Sequence, residues 1–522
     1  MKKIGLVLVI LIMAVGLAFG GGGQQQAKGP VATKVLTVEI FDRGTDGGRS
    51  QAHNNAWTDW IKAKVKKDLG IDVTFVPVGR WSEETDMTNL MASQSAPDLC
   101  YSYSINMINA YRDQGGIFDL APYVDKYLPD LKKLLGEDSA FPGKDFIYRQ
   151  QDQDTKQMFT IPSARVALAQ RNIFIRKDWL DKLGIPVPTN LDQFYAALVA
   201  FRTRAAELPG NLTQARVIPF GVNSDTRWGL ADFLNNSITA TSDKDRWVYS
   251  VAERNLAMPG YKEGVRLMNK WYNERLIYHD FPLMTVADNF YNQMKSGVVG
   301  AILQNWDMVY RGDYKINEEL AKNVPGASYI PIDIGLKNKD MMDKAGLFMF
   351  IPSFSKNQIA AMQYLNWLSK PENYQFLQNG NVGVNHELVN GIPKRIVRPA
   401  GDPWFMNSSD NIDMTMPMNG IQMGSQELNS RVLALAYTGV PAQTIVDAYS
   451  ASVKNARAPV VKQITLTVNQ YTQTLQDKFT ALIAQAIRAA PAQFDSVYDA
   501  GYRDWLNSGA QEVIDERNSK WK

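Results

Sequence analysis

The sequence predicts an α/β protein built as two lobes, and three observations predict it. The chain has 522 residues, more than one compact core accommodates. Strand-like and helix-like segments alternate over residues 34–103, the pattern of a doubly wound parallel sheet. The same alternation returns over residues 190–303, so two α/β units are expected rather than one oversized sheet. No repeat of 20–50 residues appears.

The first element is a targeting segment. Lys2 and Lys3 precede an apolar run from Ile4 to Phe19, and Ala18-Phe19-Gly20 places small residues at a cleavage point. Residues 1–20 are read as a signal peptide and 21–33, with Gly21-Gly22-Gly23, as a flexible linker. The run is shorter than the ~20 residues of a spanning helix; an uncleaved anchor is the other reading. Position 21 is Gly, not Cys, so lipid anchoring is not expected. The chain is expected to be exported, periplasmic or extracellular.

"KVLTVEIF" (Lys34–Phe41) alternates like a strand, and "NNAWTDWIKAKVKKDLG" (Asn54–Gly70) carries apolar residues at helical spacing with a Gly stop. "IDVTFVPV" is the second strand, "ETDMTNLMASQSA" a helix and "PDLCYSY" the third strand. Helix "NLDQFYAALVAFRTRAA", strand "VIPFGV", helix "YKEGVRLMNKWYNERL" and strand "GVVGAIL" make the second unit. Pro188-Thr189-Asn190 presents a helix N-terminus, with Thr189 or Asn190 as the cap and Asp192 at the positive dipole end. Gly184 stops the helix before it.

Composition excludes several classes. The 56 basic and 53 acidic residues nearly cancel, so no electrostatic footprint for nucleic acid exists. Cys100 is the single cysteine, so no intramolecular disulfide can form, and it reads as a small buried hydrophobe. His53, His279 and His386 each stand alone, without a triad or metal signature. No cofactor or metal is expected.

Ligands of open α/β sheets bind beyond the C-terminal ends of the strands. The residues there are Arg43, Trp81, Tyr101, Tyr103, Trp228 and the pair Asn305-Trp306. Each can be a core cap, and so can the indole ending "GVVGAILQNWDM" (Gly297–Met308). Their joint recurrence favours the other reading, in which Trp306 lines a cleft.

Two blocks then carry a resemblance. "FIRKDWLDKLGIPVPTNLDQFYAALVAF" (Phe174–Phe201) and "QYLNWLSKPENYQFLQNGNVGVNHEL" (Gln363–Leu388) resemble the extracellular solute-binding proteins of carbohydrate ABC transporters, in particular the large subfamily that captures oligosaccharides, aldouronates and alginate fragments. The strand ending in Asn305-Trp306 and the tail "FDSVYDAGYRDWLNSGAQEVIDERNSKW" resemble it too. The resemblance implies a two-lobe periplasmic-binding-protein fold of the Venus-flytrap type II class, with extra C-terminal helices. It puts lobe 1 at 34–165 plus 346–392 and lobe 2 at 166–345 plus 393–522. Chain crossings are expected at Gln157–Trp179, Gly346–Ser355 and Asn390–Trp404. Asp178 and Trp179 are expected to pack the hinge region. It further implies a monomer that binds an oligosaccharide, delivers it to membrane permease subunits and catalyses nothing. Some relatives carry a calcium loop before the strand "IPFG"; here only Glu207 and Asn211 offer suitable oxygens, far short of the about 6–8 that calcium takes.

A sugar needs flat rings against its C–H faces and planar donors or acceptors for its hydroxyls. The stacking candidates are Trp306, Trp228 and Tyr103, then Trp81 and Trp404; Asn305 and Arg165 are the hydrogen-bonding candidates, with Tyr101 and Arg43 nearby. Arg165 in the cleft would favour an acidic sugar; a salt bridge between lobes is its other reading. The competing class is a secreted carbohydrate-active enzyme such as a glycoside hydrolase, which needs two carboxylates flanking the bond.

Overall fold

The computed structural model describes residues 34–521 apart from 138–140, 241, 253, 285–286, 313, 407–410, 424, 438 and 461–465. The signal peptide expected at 1–20 and the linker expected at 21–33 lie outside the described residues. Cys100 is buried, as expected, its thiol donating to the Pro97 carbonyl.

Two large apolar cores form. The first gathers residues of 36–166 and 345–377 together with Met406, Ile412, Met414, Met416 and Met418. Its sheet begins with Val35–Asp42 paired in parallel to Asp72–Gly79 over their full lengths. The helix Ala56–Leu69 packs between these strands in sequence because its ends are well defined: Asn55 accepts from Trp57 N and Thr58 N, and Gly70 leaves at φ 73°. A parallel bridge from Val38 to Leu99 brings in Cys100–Ser102. From there the sheet turns antiparallel: Ala345–Phe350 pairs with both Cys100–Ser102 and Ile161–Arg165. Met418–Asn419 closes the far edge, parallel to Ile161–Arg165.

The second core combines residues of 173–336 with the C-terminal helices of 475–514. Its four strands run in the order Ile218–Gly221, Val299–Asn305, Arg171–Arg176, Tyr329–Ile332. The first pair is parallel and the other two are antiparallel. Both sheets are therefore mixed rather than wholly parallel. The strand–helix–strand stretches give the parallel pairs, and the strands flanking the passages between cores run the opposite way. Gly300 shows why the second strand tolerates glycine: a Cβ there would come within 2.7 Å of both Trp179 and Phe201.

The expected scaffold details appear at the block Phe174–Phe201. Asn190 caps the helix Leu191–Thr203 by accepting from Gln193 N at 2.9 Å, and Gly184 at φ 67° ends Lys177–Leu183. Arg176 grips Asp178 with two hydrogen bonds of 2.7 and 2.6 Å, and Trp179 is fully buried edge-on to Phe201.

The chain passes from the first core to the second between Arg165 and Arg171 and returns just before Ala345. The third passage lies after Asn419, beyond the segment Asn390–Trp404 expected to make it. That segment stays with the first core: Trp404 sits edge-on to Trp57, 4.9 Å between centroids, and its carbonyl accepts from the Trp57 indole.

Candidate functional site

A cavity of about 520 Å³ lies between the two cores. The first core contributes Ile105, Asn106 and Asn109, at the start of the helix Ile105–Asp113 that follows the third strand. The second contributes Trp228 and a group of amides, and the C-terminal part of the chain supplies Arg457, Phe479 and Arg517. A smaller, more polar hollow of about 430 Å³ on the second unit alone, between Ala287–Lys295 and Ile316–Asn323, brings in one aromatic ring, Tyr314.

The cavity wall is held by a buried charge network. Arg171, the first residue of its strand, donates through Nε and Nη2 to Asp232 at 3.0 and 2.8 Å and through Nη2 to Asp340 at 2.9 Å. Burial alone would lower its pKa, but these two carboxylates outweigh it and hold the guanidinium charged above its usual range. The same guanidinium lies 5.1 Å from the Trp228 ring centroid, a cation–π contact that fixes the half-buried indole. Asn235 donates to Asp340 at 3.0 Å and accepts from Asn255 at 3.1 Å. The result is a rigid ring beside planar amides, with a second guanidinium, Arg517, 5.5 Å from the Trp247 ring.

Of the nine residues expected from sequence to touch ligand, Trp228 alone lines this cavity. Trp306 does not: it is 7% exposed, edge-on to Tyr437 and Tyr449 at 6.1 and 5.5 Å, and packed with Ala169, Ala434, Ile445 and Ala448. Its N–H donates to the Gln170 carbonyl and its own carbonyl accepts from Asn172. The indole is the apolar seat on which Gln426–Leu435 and Ala442–Val453 rest, so it caps a core. Asn305, half-buried, ends the strand opposite Arg171.

Tyr101 is fully buried in the first core, its hydroxyl accepting from Phe41 N at 2.9 Å. Tyr103, just past the end of the strand Cys100–Ser102, is half-buried and meets the same Phe41 ring as Tyr101, at 6.0 and 4.6 Å between centroids respectively. Arg80 covers one face of the Tyr103 ring at 4.2 Å. Arg43 is bound to Asp413 by two hydrogen bonds of 2.7 and 2.8 Å. Arg165 folds onto the returning strand, Nη2 donating to the Gly346 carbonyl at 3.2 Å. Trp81 is 79% exposed, its indole N–H near the Arg43 carbonyl at 3.4 Å.

The residues that sequence reasoning missed come from two sources. Asn106 and Asn109 follow a strand tip closely, and the strand-tip rule would have reached them one turn later. Trp247, Arg457 and Arg517 follow no strand of the two main sheets and are brought in by long-range packing. Among the described residues no group of three or more His, Cys, Asp or Glu is placed to hold a metal ion.

Comparison with known proteins adds the family. A family model described as bacterial extracellular solute-binding protein matches residues 50–375, more than half of the chain. Lipoprotein LipO of Bacillus subtilis is 24% identical over 340 residues, 62% of each chain. A polygalacturonan/rhamnogalacturonan-binding protein of the same organism is 24% identical over 247 residues, covering 44% of this chain and 43% of its own. The matches thus span less than two thirds of these relatives' lengths. Among solved structures, alginate-binding protein AlgQ2 without calcium ion superposes with a TM-score of 0.63 at 19% identity, covering 93% of this chain and 97% of the other. A fructooligosaccharide-type protein, Streptococcus pneumoniae FusA in complex with kestose, gives 0.60 at 16% identity, covering 93% and 98%. These likenesses show the two-lobe fold.

Proposed function

The chain belongs to the bacterial extracellular solute-binding proteins, and we propose that it is the binding component of an ABC importer that captures an oligosaccharide between its lobes. The observation that carries this reading is the cavity of about 520 Å³ between two separately packed cores, walled by a pinned indole and convergent amides. A cleft of that kind suits a molecule with apolar faces and a rim of hydroxyls. Micromolar capture needs about −8 kcal/mol. Hydrogen bonds of ~0.5–1.5 kcal/mol each, stacking on Trp228 and the apolar area buried as the lobes meet all contribute to it.

Support for the ligand class comes from the relatives, whose names specify polygalacturonan and rhamnogalacturonan or fructooligosaccharide as what they bind. Trp81, exposed on the first lobe, is the ring a closing lobe would carry onto the sugar. A ligand touching both lobes stabilises the closed arrangement over the open one. In this reading the chain is exported by its first 20 residues, works as a monomer without a cofactor and hands the sugar to a membrane permease. Among the described residues no helix is long and apolar enough to cross a membrane.

The carboxylates that line the cavity do not form the free pair a hydrolase needs. Asp340 is engaged by Arg171 and Asn235, and Asp343 pairs with Arg149 at 2.5 Å. Incubation with a panel of oligosaccharides, followed by thermal shift and chain-length chromatography, tests the proposal. A binder raises its melting temperature with one group of sugars and leaves their lengths unchanged; shortened chains would establish an enzyme instead.

A further inference from the structure

We propose that the helices Gln426–Leu435 and Ala442–Val453 form a brace behind the hinge, which limits how far the two lobes can part. The inference uses the two-lobe fold alone and adds no ligand contact.

The passages between the lobes share one node on the first lobe. A Cβ at Gly346 would come within 2.5 Å of Asn419 Nδ2 and 2.8 Å of Arg165 Nε, so glycine is what lets the ends of all three passages meet there. Beyond the node the first two passages run together, Met342 N donating to the Leu168 carbonyl at 2.9 Å. One face of this pair looks into the cleft, where Arg171, Asp340 and Met341 line the cavity. Their neighbours in sequence reach the helix Ala442–Val453 instead. Asn172 Nδ2 donates to the Ala448 carbonyl at 2.7 Å, and Lys339 Nζ to the Ala451 carbonyl at 2.7 Å. The backbone adds two bonds, from Leu168 N to the Tyr449 hydroxyl at 3.2 Å and from Gln170 N to Ser452 Oγ at 3.0 Å. This helix therefore backs the passages on the face away from the cleft.

The other helix is tied to the first lobe. Gln426–Leu435 packs beside the strand Ile392–Arg395. A chain of amides fixes its start: Gln378 Nε2 donates to the Gly420 carbonyl at 3.0 Å, Gln378 Oε1 accepts from Gln422 N at 3.2 Å, and Gln422 Oε1 accepts from Asn429 Nδ2 at 2.6 Å. Between the helices, Trp306 packs with Ala434 of one and with Ile445 and Ala448 of the other. Tyr437, just past the first helix, donates to Asp307 at 2.5 Å. The pair thus spans from one lobe to the other.

Opening a hinged cleft squeezes whatever lies behind its pivot. Close-packed side chains yield little to compression, so two helices seated on an indole resist that squeeze more than the passages alone would. Closing relieves it. The brace is one-sided: it stops the lobes from falling open and leaves their approach free.

Cys100 is the single cysteine and is buried, so spin labels go onto introduced cysteines, Lys67→Cys on the first lobe and Val187→Cys on the second. Pulsed dipolar spectroscopy of the ligand-free protein then reads the spread of lobe separations. Tyr449→Phe combined with Ser452→Ala removes both side-chain acceptors that hold the passage amides. This double variant is expected to lengthen the mean separation and broaden its distribution. Gln422→Ala cuts the amide chain at the far end of the brace. It is expected to act in the same direction and keeps the test available if the double variant folds poorly. A label pair within the second lobe, Val187→Cys with Lys322→Cys, is expected to keep its distance throughout. Separations unchanged in both variants overturn the brace. A shift to shorter separations overturns it too, since the helices would then be a prop that holds the cleft open.

Discussion

Replacing Trp306 by alanine would open a hole beneath two helices, because its indole is wedged between Tyr437 and Tyr449. The expected cost is about 3–5 kcal/mol of stability, read as a lowered unfolding midpoint, with sugar affinity retained in the folded fraction. Trp228→Ala should do the reverse: a small change in midpoint and a roughly tenfold weaker affinity, since that ring borders the cleft and is fixed there by Arg171. Equal effects of the two substitutions on affinity would sink the distinction. Sequence could place both indoles at strand tips but could not separate them. What decides is whether something covers the ring, and the covering helices lie more than 100 residues downstream of Trp306. Tyr101 and Tyr103 differ more simply: Tyr101 lies within the strand Cys100–Ser102 and is fully buried, whereas Tyr103 stands just past its end and is half-buried.

At the scale of elements, local signals were legible and long-range attachments were not. Asn190 and Gly184 cap their helices as their residue types require. The segment around Asp413 had no such local signal, and the chain keeps it on the first core through the Arg43 pair. Burial of Arg43 disfavours its charge, yet Asp413 outweighs that and raises its pKa. Asp413→Ala therefore strands a largely buried cation and should cost about 3–5 kcal/mol in urea unfolding; a loss below about 1 kcal/mol, the level of an exposed pair, would contradict this attachment.

The first strand carries a buried carboxyl group, Glu39. Glu39 Oε2 accepts from Tyr101 N at 2.8 Å, Oε1 has no partner among the described residues, and burial pushes its pKa well above the usual range. The folded state thus keeps a proton that the unfolded state releases. The stability it contributes is complete below the unfolded value of about 4.3 and is lost as pH rises through the folded value. Glu39→Gln retains the acceptor without the charge, so its unfolding free energy should gain on the native protein's between about pH 4 and pH 7. Parallel pH profiles would remove Glu39 as the cause.

At the scale of the whole molecule, the C-terminal helices are part of the site as well as of the scaffold. Phe479 and Arg517 join the second core's helices to the cleft wall, and Arg457 does so from the short strand before them. The alternation of strands and helices announced two α/β units, and the family blocks announced a two-lobe binder. Neither could announce which tail residues return to the gap, because that depends on packing over more than 200 residues of separation. Two lobes joined by short passages can move about them, and ligand contacts on both sides favour the closed arrangement. The most direct measurement is small-angle X-ray scattering of the protein with and without a saturating oligosaccharide identified by thermal shift. The radius of gyration is expected to fall as the lobes close on the sugar. An unchanged scattering profile at full occupancy would contradict capture between the lobes.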